Sequence, residues 1–309
     1  MKVCFAGIGS IGKRHINNLT MICNKDNINL EIHALRKTNT KLEDDIRIKI
    51  DKEIYDILDL DSVYDIIFIT NPTYQHYNTI YQLRNHSKHF FVEKPVFENG
   101  NKDVALLKLP YDNIYYVACP LRYTNVLMRA QEVVCKERIL SVRAISSSYL
   151  PDWRTGIDYR NTYSAHAEEG GGVAIDLIHE WDYLISLFGF PDEVKMLKGK
   201  LSELEIDSDD VAVYIAKYKS LFIELHLDYF GKNSIREFEI ITEEHRYVFD
   251  ILSSVIYKDG ILVEAFNEEP NDKYVRELKN FFDIVNNRKE NNNDLYHAVK
   301  VLKVAIQAN

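Results

Sequence analysis

The stretch KVCFAGIGSIG, Lys2 to Gly12, joins a five-residue apolar run to three glycines spaced G-x-G-x-x-G. Lys2–Ala6 has the length and composition of a buried strand, and the apolar spacing from Ile11 to Ile22 is that of a helix. A glycine loop between a strand and a helix is the context that gives this spacing meaning. Gly7 permits a tight turn, Gly9 lets backbone amides approach a pyrophosphate, and Gly12 allows close helix–strand packing. Ser10 and Ile11 open the helix, whose amino terminus favours negative charge. The stretch therefore predicts a dinucleotide-binding domain at the start of the chain.

Further along, the same rhythm repeats. Strands are expected at residues 30–35, 65–70, 89–92 and 115–119, with helical stretches over part of 41–50 and at 74–84 and 102–108 between them. Alternating strands and helices imply a parallel, doubly wound sheet. After Pro120 the pattern changes to helices at 126–136 and 173–188, strands at 141–149, 194–200, 211–217, 221–228, 236–242 and 247–251, and closing helices at 273–285 and 294–308. The expected organisation is an α/β Rossmann domain over residues 1–119, then an α+β domain over 120–309 with a large, mostly antiparallel open-faced sheet.

Bulk composition narrows the function. The 309 residues carry a net charge of −9, and no apolar stretch approaches the roughly 20 residues of a membrane span. An acidic chain without a basic block is not expected to bind nucleic acid or an anionic membrane. Four cysteines without CxxC spacing read as reduced, packed thiols of a cytoplasmic protein, and no metal site is expected.

In a doubly wound sheet, ligands bind beyond the carboxyl ends of the strands. Thr70-Asn71-Pro72, Glu93-Lys94-Pro95 and Cys119-Pro120 each end a strand and are expected around one crevice. Lys94 would then point at the place of a nicotinamide ring, where its ammonium can stabilise an alkoxide as hydride leaves. His76, on the following helix, either lines that pocket or packs within the fold. After the second strand the usual acid is absent, since Glu31 comes before most of that strand's apolar residues. Arg36 and Lys37 stand at the strand's end instead, and an arginine there suits a 2′-phosphate, so NADP is favoured over NAD. In the second half, Gly170-Gly171-Gly172 leads into Val173-Ala174-Ile175-Asp176-Leu177-Ile178-His179-Glu180. Asp176 and His179 are three residues apart, on one face of a continuous helix, and His179 can relay a proton near neutral pH.

The glycine loop, the E-K-P after a strand and the GGG…D…H helix, in this order and spacing, resemble the Gfo/Idh/MocA oxidoreductase family. The resemblance implies NAD(P) in the first domain and a sugar or polyol substrate at the interface with the second. It also implies that Lys94 and His179 are catalytic together with Asp176, and that Arg122 belongs to the family's Arg-aromatic element near the cofactor. A terminal helix, here 294–308, would pack back near the first domain. Two departures stand out: many members place Asp and His four apart, and the three-residue spacing here is similar to variants of cell-surface sugar pathways. Arg36 also replaces the common acid after the second strand.

The loop at 151–166 mixes Trp, Tyr and Arg, and Arg154, Arg160 and Tyr163 are its candidate substrate contacts. One face of the expected strands carries Val211, Val213 and Ile215, and the other Tyr214, Tyr218 and Phe222. The aliphatic face is expected to meet helices and the aromatic one another subunit, giving a homodimer or homotetramer. The expected activity is hydride transfer between NAD(P) and a sugar-type carbinol or ketone. Its alternatives are a reductase of an imine or enol-type substrate and a non-catalytic dinucleotide-sensing regulator or scaffold on the same fold.

Overall fold

The computed structural model describes residues 1–60 and 63–307. In chain order its principal elements begin with β1 (Lys2–Ala6), α1 (Ser10–Lys25), β2 (Glu31–Leu35), α2 (Asp44–Arg47) and β3 (Lys52–Ile54). These are followed by β4 (Tyr64–Ile69), α3 (His76–Leu83), β5 (Ser87–Val92) and β6 (Ile114–Val117). Then come α4 (Asn125–Lys136), β7 (Ile139–Tyr149), α5 (Val173–Asp176), α6 (Ile178–Phe188), β8 (Glu193–Gly199), β9 (Val211–Lys217) and β10 (Phe222–Asp228). The chain continues with β11 (Phe230–Thr242), β12 (Arg246–Asp250), β13 (Val255–Lys258), β14 (Ile261–Ala265), α7 (Asp272–Val285) and α8 (Leu295–Ile306). The chain divides into two compact units, the first comprising Met1–Phe97, Asn101–Ala118 and Tyr274–Val299. The second comprises Glu98–Gly100, Cys119–Lys273 and the chain from Lys300 onward.

The first unit is a parallel sheet in the order β3-β2-β1-β4-β5-β6. Starting from β1 the strand order grows outward in both directions, which is the doubly wound arrangement with its switch point beside the glycine loop. The central strands are buried on both faces, as their continuous apolar sequences require; Val3, Cys4, Phe5, Ile67, Phe68, Phe90 and Phe91 are buried. Phe5 stacks on Phe68, and Phe91 meets Phe281 of α7 edge-on. The sequence reading missed β3, a three-residue edge strand too short to show a period. It also overstates residues 102–108, where only a 3-10 turn forms over Val104–Leu107. Within the stretch 41–50, part of which was expected to be helical, the helix is the single-turn α2.

The second unit carries an eight-stranded sheet in the order β14-β13-β12-β11-β7-β10-β9-β8, antiparallel except between β7 and β10. The hairpin strands β13 and β14 were not anticipated. The expected end of the last helix at residue 308 lies outside the described residues.

Two expectations are corrected here. The faces of β9 are the reverse of those expected. Tyr214 is 1% exposed and Ala212 and Ala216 are buried beside it, whereas Ile215 is 54% exposed. Tyr214 faces inward because its hydroxyl donates to the Ala305 carbonyl at 2.7 Å and its ring meets Trp181 edge-on. Tyr218 is buried too, its hydroxyl on the Gly189 carbonyl at 3.1 Å. Small alanines between the tyrosines leave room for these large side chains. The open face therefore carries Val213, Ile215 and, from β10, Phe222, which is 53% exposed.

The second correction concerns the expected helix at 173–188, which is two helices. Leu177 (φ −94°, ψ 31°) interrupts it, so Asp176 ends α5 and His179 lies in the first turn of α6. The three-residue spacing consequently does not place them on one continuous helical face.

Candidate functional site

The glycine loop is shaped by steric necessity at one position and left open at another. Gly7 has φ +99°, and a Cβ there would lie 2.7 Å from the backbone of Asn71. At Gly9 a Cβ would meet nothing within 4 Å. The chain thus crowds the turn against the end of β4 and leaves clear space at the amino terminus of α1. The first turn of a helix presents amides that lack intrahelical acceptors, so this open end fits the pyrophosphate of a dinucleotide. Thr70 closes the loop from behind, its hydroxyl donating to the Gly7 carbonyl at 2.6 Å. Asn71 is anchored by its amide on the Thr79 hydroxyl at 2.8 Å.

His76 is a brace between strand ends. It is buried, with Nε2 2.9 Å from the Asn71 carbonyl and Nδ1 3.2 Å from the Val96 carbonyl. Burial pushes its pKa below the ordinary histidine value. Of the two roles open to it, packing is the one these contacts support.

The turn Glu93-Lys94-Pro95 is held by a pair that the sequence reading did not find. His15, fully buried on α1, places Nε2 2.6 Å from Glu93 Oε1. The other oxygen of Glu93 accepts the Lys94 amide at 3.2 Å. The helix that opens the phosphate loop and the turn that carries Lys94 are thereby locked together through one carboxyl group. Lys94 itself is half-buried. The signal was present in part: Gly12, His15, Ile16, Leu19, Ile22 and Cys23 form the buried face of α1 at helical spacing. A histidine on that face needs a buried partner, but periodicity does not say which.

Glu31 opens β2 at its amino-terminal end, bonded to His33 and Lys2, and is remote in register from the glycine loop. Arg36 does stand at the carboxyl end, but one terminal nitrogen of its guanidinium donates to Glu53 of β3 and the other to the Thr40 carbonyl. Lys37 is exposed.

In the second unit the glycines are packed tightly: a Cβ on Gly171 would lie 2.2 Å from the Tyr163 carbonyl. Asp176 is buried and accepts from the Tyr229 hydroxyl at 2.6 Å. Burial first, then the Asp176 charge, raises the Tyr229 phenol well above its ordinary range, so it stays a donor. Tyr163 lies near the same acid, and burial first, then the Asp176 charge, raises its phenol above the ordinary range. Around this acid, Trp153 meets Tyr229 edge-on at 5.2 Å and Arg154 lies over the Tyr163 ring at 5.5 Å. Asp176, Tyr163 and Arg154 are thus brought together, and Tyr229 joins them from the end of a strand 53 residues away. His179 is half-buried at the start of α6.

Arg160 does not join this cluster. Its guanidinium is spent on Asp158 and Glu205, both at 2.7 Å, and it staples the loop on the surface. Arg122 is engaged in the same manner, its fork closing on Asp182 at 2.8 and 2.7 Å. Glu180 is fully buried and pairs with Arg236 Nε at 2.8 Å. The acids that follow His179 therefore hold α6 in place.

Residues 1–109 match the family model GFO_IDH_MocA, an oxidoreductase family with an NAD-binding Rossmann fold. The match covers about the first third of the chain. No curated protein matches the chain. Among solved structures, a levoglucosan dehydrogenase in complex with NADH and levoglucosan is 16% identical, with TM-score 0.81, covering 99% of this chain and 95% of its own. A myo-inositol 2-dehydrogenase from Lactobacillus plantarum is 18% identical, with TM-score 0.78 and coverages of 99% and 95%. A UDP-N-acetylglucosamine 3-dehydrogenase from Acidithiobacillus ferrooxidans is 15% identical, with TM-score 0.77 and coverages of 99% and 96%. At such identities the likeness is one of fold, and it extends over nearly the whole chain. Among the described residues no helix is long and apolar enough to cross a membrane.

Proposed function

We propose that the protein is an NAD(P)-dependent dehydrogenase that oxidises a secondary hydroxyl of a sugar or sugar derivative, or reduces the corresponding ketone. The observation that carries the reading is the lock between Glu93, His15 and the Lys94 amide, which fixes a half-buried lysine at a strand's carboxyl end in a Gfo/Idh/MocA Rossmann domain. A nicotinamide, when bound, would supply the acceptor for the hydride of the substrate carbon. Lys94 polarises the substrate oxygen, and His179 takes the hydroxyl proton, so that a carbinol becomes a ketone with one hydride and one proton removed. Asp176, held by Tyr229, and Arg154 with Tyr163 offer an acid, a cation and phenols suited to sugar hydroxyls. The solved relatives that act on levoglucosan, myo-inositol and a nucleotide sugar support this substrate class. A role in cell-surface sugar synthesis and a cytoplasmic location belong to the same proposal. So does NADP in preference to NAD, which rests on Arg36, and self-association through the open sheet face of Val213, Ile215 and Phe222.

Turnover of a sugar and nucleotide-sugar panel with each cofactor tests the reading. Lys94→Ala and His179→Ala should each lower kcat on the order of 10²–10⁴-fold while cofactor affinity stays within a few-fold. In the double variant most of the damage should already be present in either single one. Near-normal turnover in His179→Ala would remove that residue from the mechanism.

A further inference from the structure

The guanidinium of Arg36 is not presented openly. Arg36 follows β2, its amide on the Ile54 carbonyl at 2.8 Å, while the Gly7 amide bonds the Leu35 carbonyl at 3.1 Å. The ends of β2 and β3 and the start of the glycine loop are thus one hydrogen-bonded corner, where the adenosine ribose of a dinucleotide lies in this fold. Into that corner β3 sends Glu53, which stands opposite Ala34 in register. One carboxylate oxygen of Glu53 takes both the Arg36 guanidinium and the Tyr55 hydroxyl, the latter at 2.8 Å. The Arg36 side chain is only 9% exposed as a result, against 29% for Glu53. Those two hydrogen bonds, Arg36 first, hold the Glu53 carboxyl below its ordinary range, so it is ionised at neutral pH.

A 2′-phosphate is best held by two parallel bonds from a guanidinium fork. Here one terminal nitrogen is on a carboxylate and the other on a carbonyl, so the phosphate must displace Glu53 from Arg36 and then sit beside a like charge. A ribose diol has no such conflict, since it carries no charge and does not need the guanidinium. We propose that Glu53 sets the cofactor preference of this protein by competing with a 2′-phosphate for Arg36, so that NADP is favoured only narrowly over NAD. The acid that opposes the phosphate stands on the neighbouring strand, 17 residues further on. The proposal rests on the reading of the first unit as a nicotinamide-dinucleotide domain.

Titration of NADPH and NADH, by calorimetry or by quenching of protein fluorescence, tests it on the whole chain without a substrate. The unchanged protein should bind the two within about tenfold of each other, a difference of about 1.4 kcal/mol or less. Glu53→Gln keeps the shape and the contact with Tyr55 but removes the charge. It should tighten NADPH by about tenfold or more and leave NADH within about threefold, which also reports an intact fold. Adding Arg36→Ala to Glu53→Gln should abolish the gain. An unchanged ratio, or weaker NADPH in Glu53→Gln, would overturn the proposal by making Glu53 an organiser of Arg36. Loss of NADH binding in Glu53→Gln with an unchanged melting temperature would overturn it by assigning Glu53 directly to the ribose. Failure of the unchanged protein to bind either cofactor would instead overturn the dinucleotide reading itself.

Discussion

Replacing His15 separates the energy of one buried hydrogen bond from that of the ring that makes it. Nε2 lies 2.6 Å from Glu93 Oε1, and the glutamate side chain is 10% exposed, so water cannot readily take the histidine's place. His15→Leu removes the donor and leaves the carboxyl group with one partner fewer, at a cost of about 1–3 kcal/mol. It also loses the edge contact with Phe91, whose centroid is 4.9 Å away, for about another 0.5–1.5 kcal/mol. His15→Gln loses the same ring but returns an N–H near the position of Nε2. The leucine variant should therefore be less stable than the glutamine variant by about 1–3 kcal/mol, or several degrees in Tm for a unit of this size. Equilibrium urea unfolding of both variants measures the difference. Agreement between them to within about 0.5 kcal/mol would refute the reasoning, because the bond to Glu93 would then contribute nothing beyond packing.

Two further outcomes follow from the geometry. His76 has a folded pKa below its unfolded value of 6.5, so the unfolded chain gains a proton first as pH falls; stability is full above about pH 6.5 and declines below it, by at most about 1.4 kcal/mol per pH unit for one proton. The urea midpoint should drop less between pH 7.5 and 5.5 in His76→Gln than in the unchanged protein, and identical drops would show that His76 does not titrate across unfolding. Self-association through the open face of the second sheet should appear as a dimer or tetramer by light scattering at micromolar concentration, and Ile215→Lys with Phe222→Glu should shift it to monomer; a monomeric unchanged protein would remove that interface.

How much of this was legible in the sequence depends on the range over which each feature is determined. The glycine loop is local: Lys2–Ala6, Gly7, Gly9 and Gly12 dictate a strand, a turn and a helix start within eleven residues, and β1 has its expected bounds. Lys94 was legible because a strand's end is marked by Pro95 in the next position but one to Glu93. The partners of these residues were not, since His15 and Glu93 are 78 residues apart and Arg36 follows one strand while Glu53 lies on another. Arg36 shows the consequence most clearly. Read along the chain it is an arginine without a nearby acid, and read across the sheet it is half of an ion pair.

The second unit fails and succeeds by the same rule. Alternation along β9 correctly separates Val213 and Ile215 from Tyr214, but both sets are apolar, so period two cannot say which faces the helices. That choice is made by Ala212 and Ala216, which leave space on one face, and by an acceptor on Ala305 that the Tyr214 hydroxyl requires once buried. The break at Leu177 has the same origin. Nothing in Val173–Glu180 forbids a continuous helix, and no glycine or proline interrupts it. The turn at Leu177 accompanies the seating of Asp176 on Tyr229, the residue between two strands. An acid held in this way by a phenol outside its own helix need not share a helical face with His179. The altered Asp–His spacing is then a change in how the acid is delivered, and Tyr229→Phe should disturb Asp176 more than any substitution at the intervening Leu177 or Ile178. Steady-state kinetics on the three variants would decide it, and an unaffected Tyr229→Phe would return the acid's orientation to the helix.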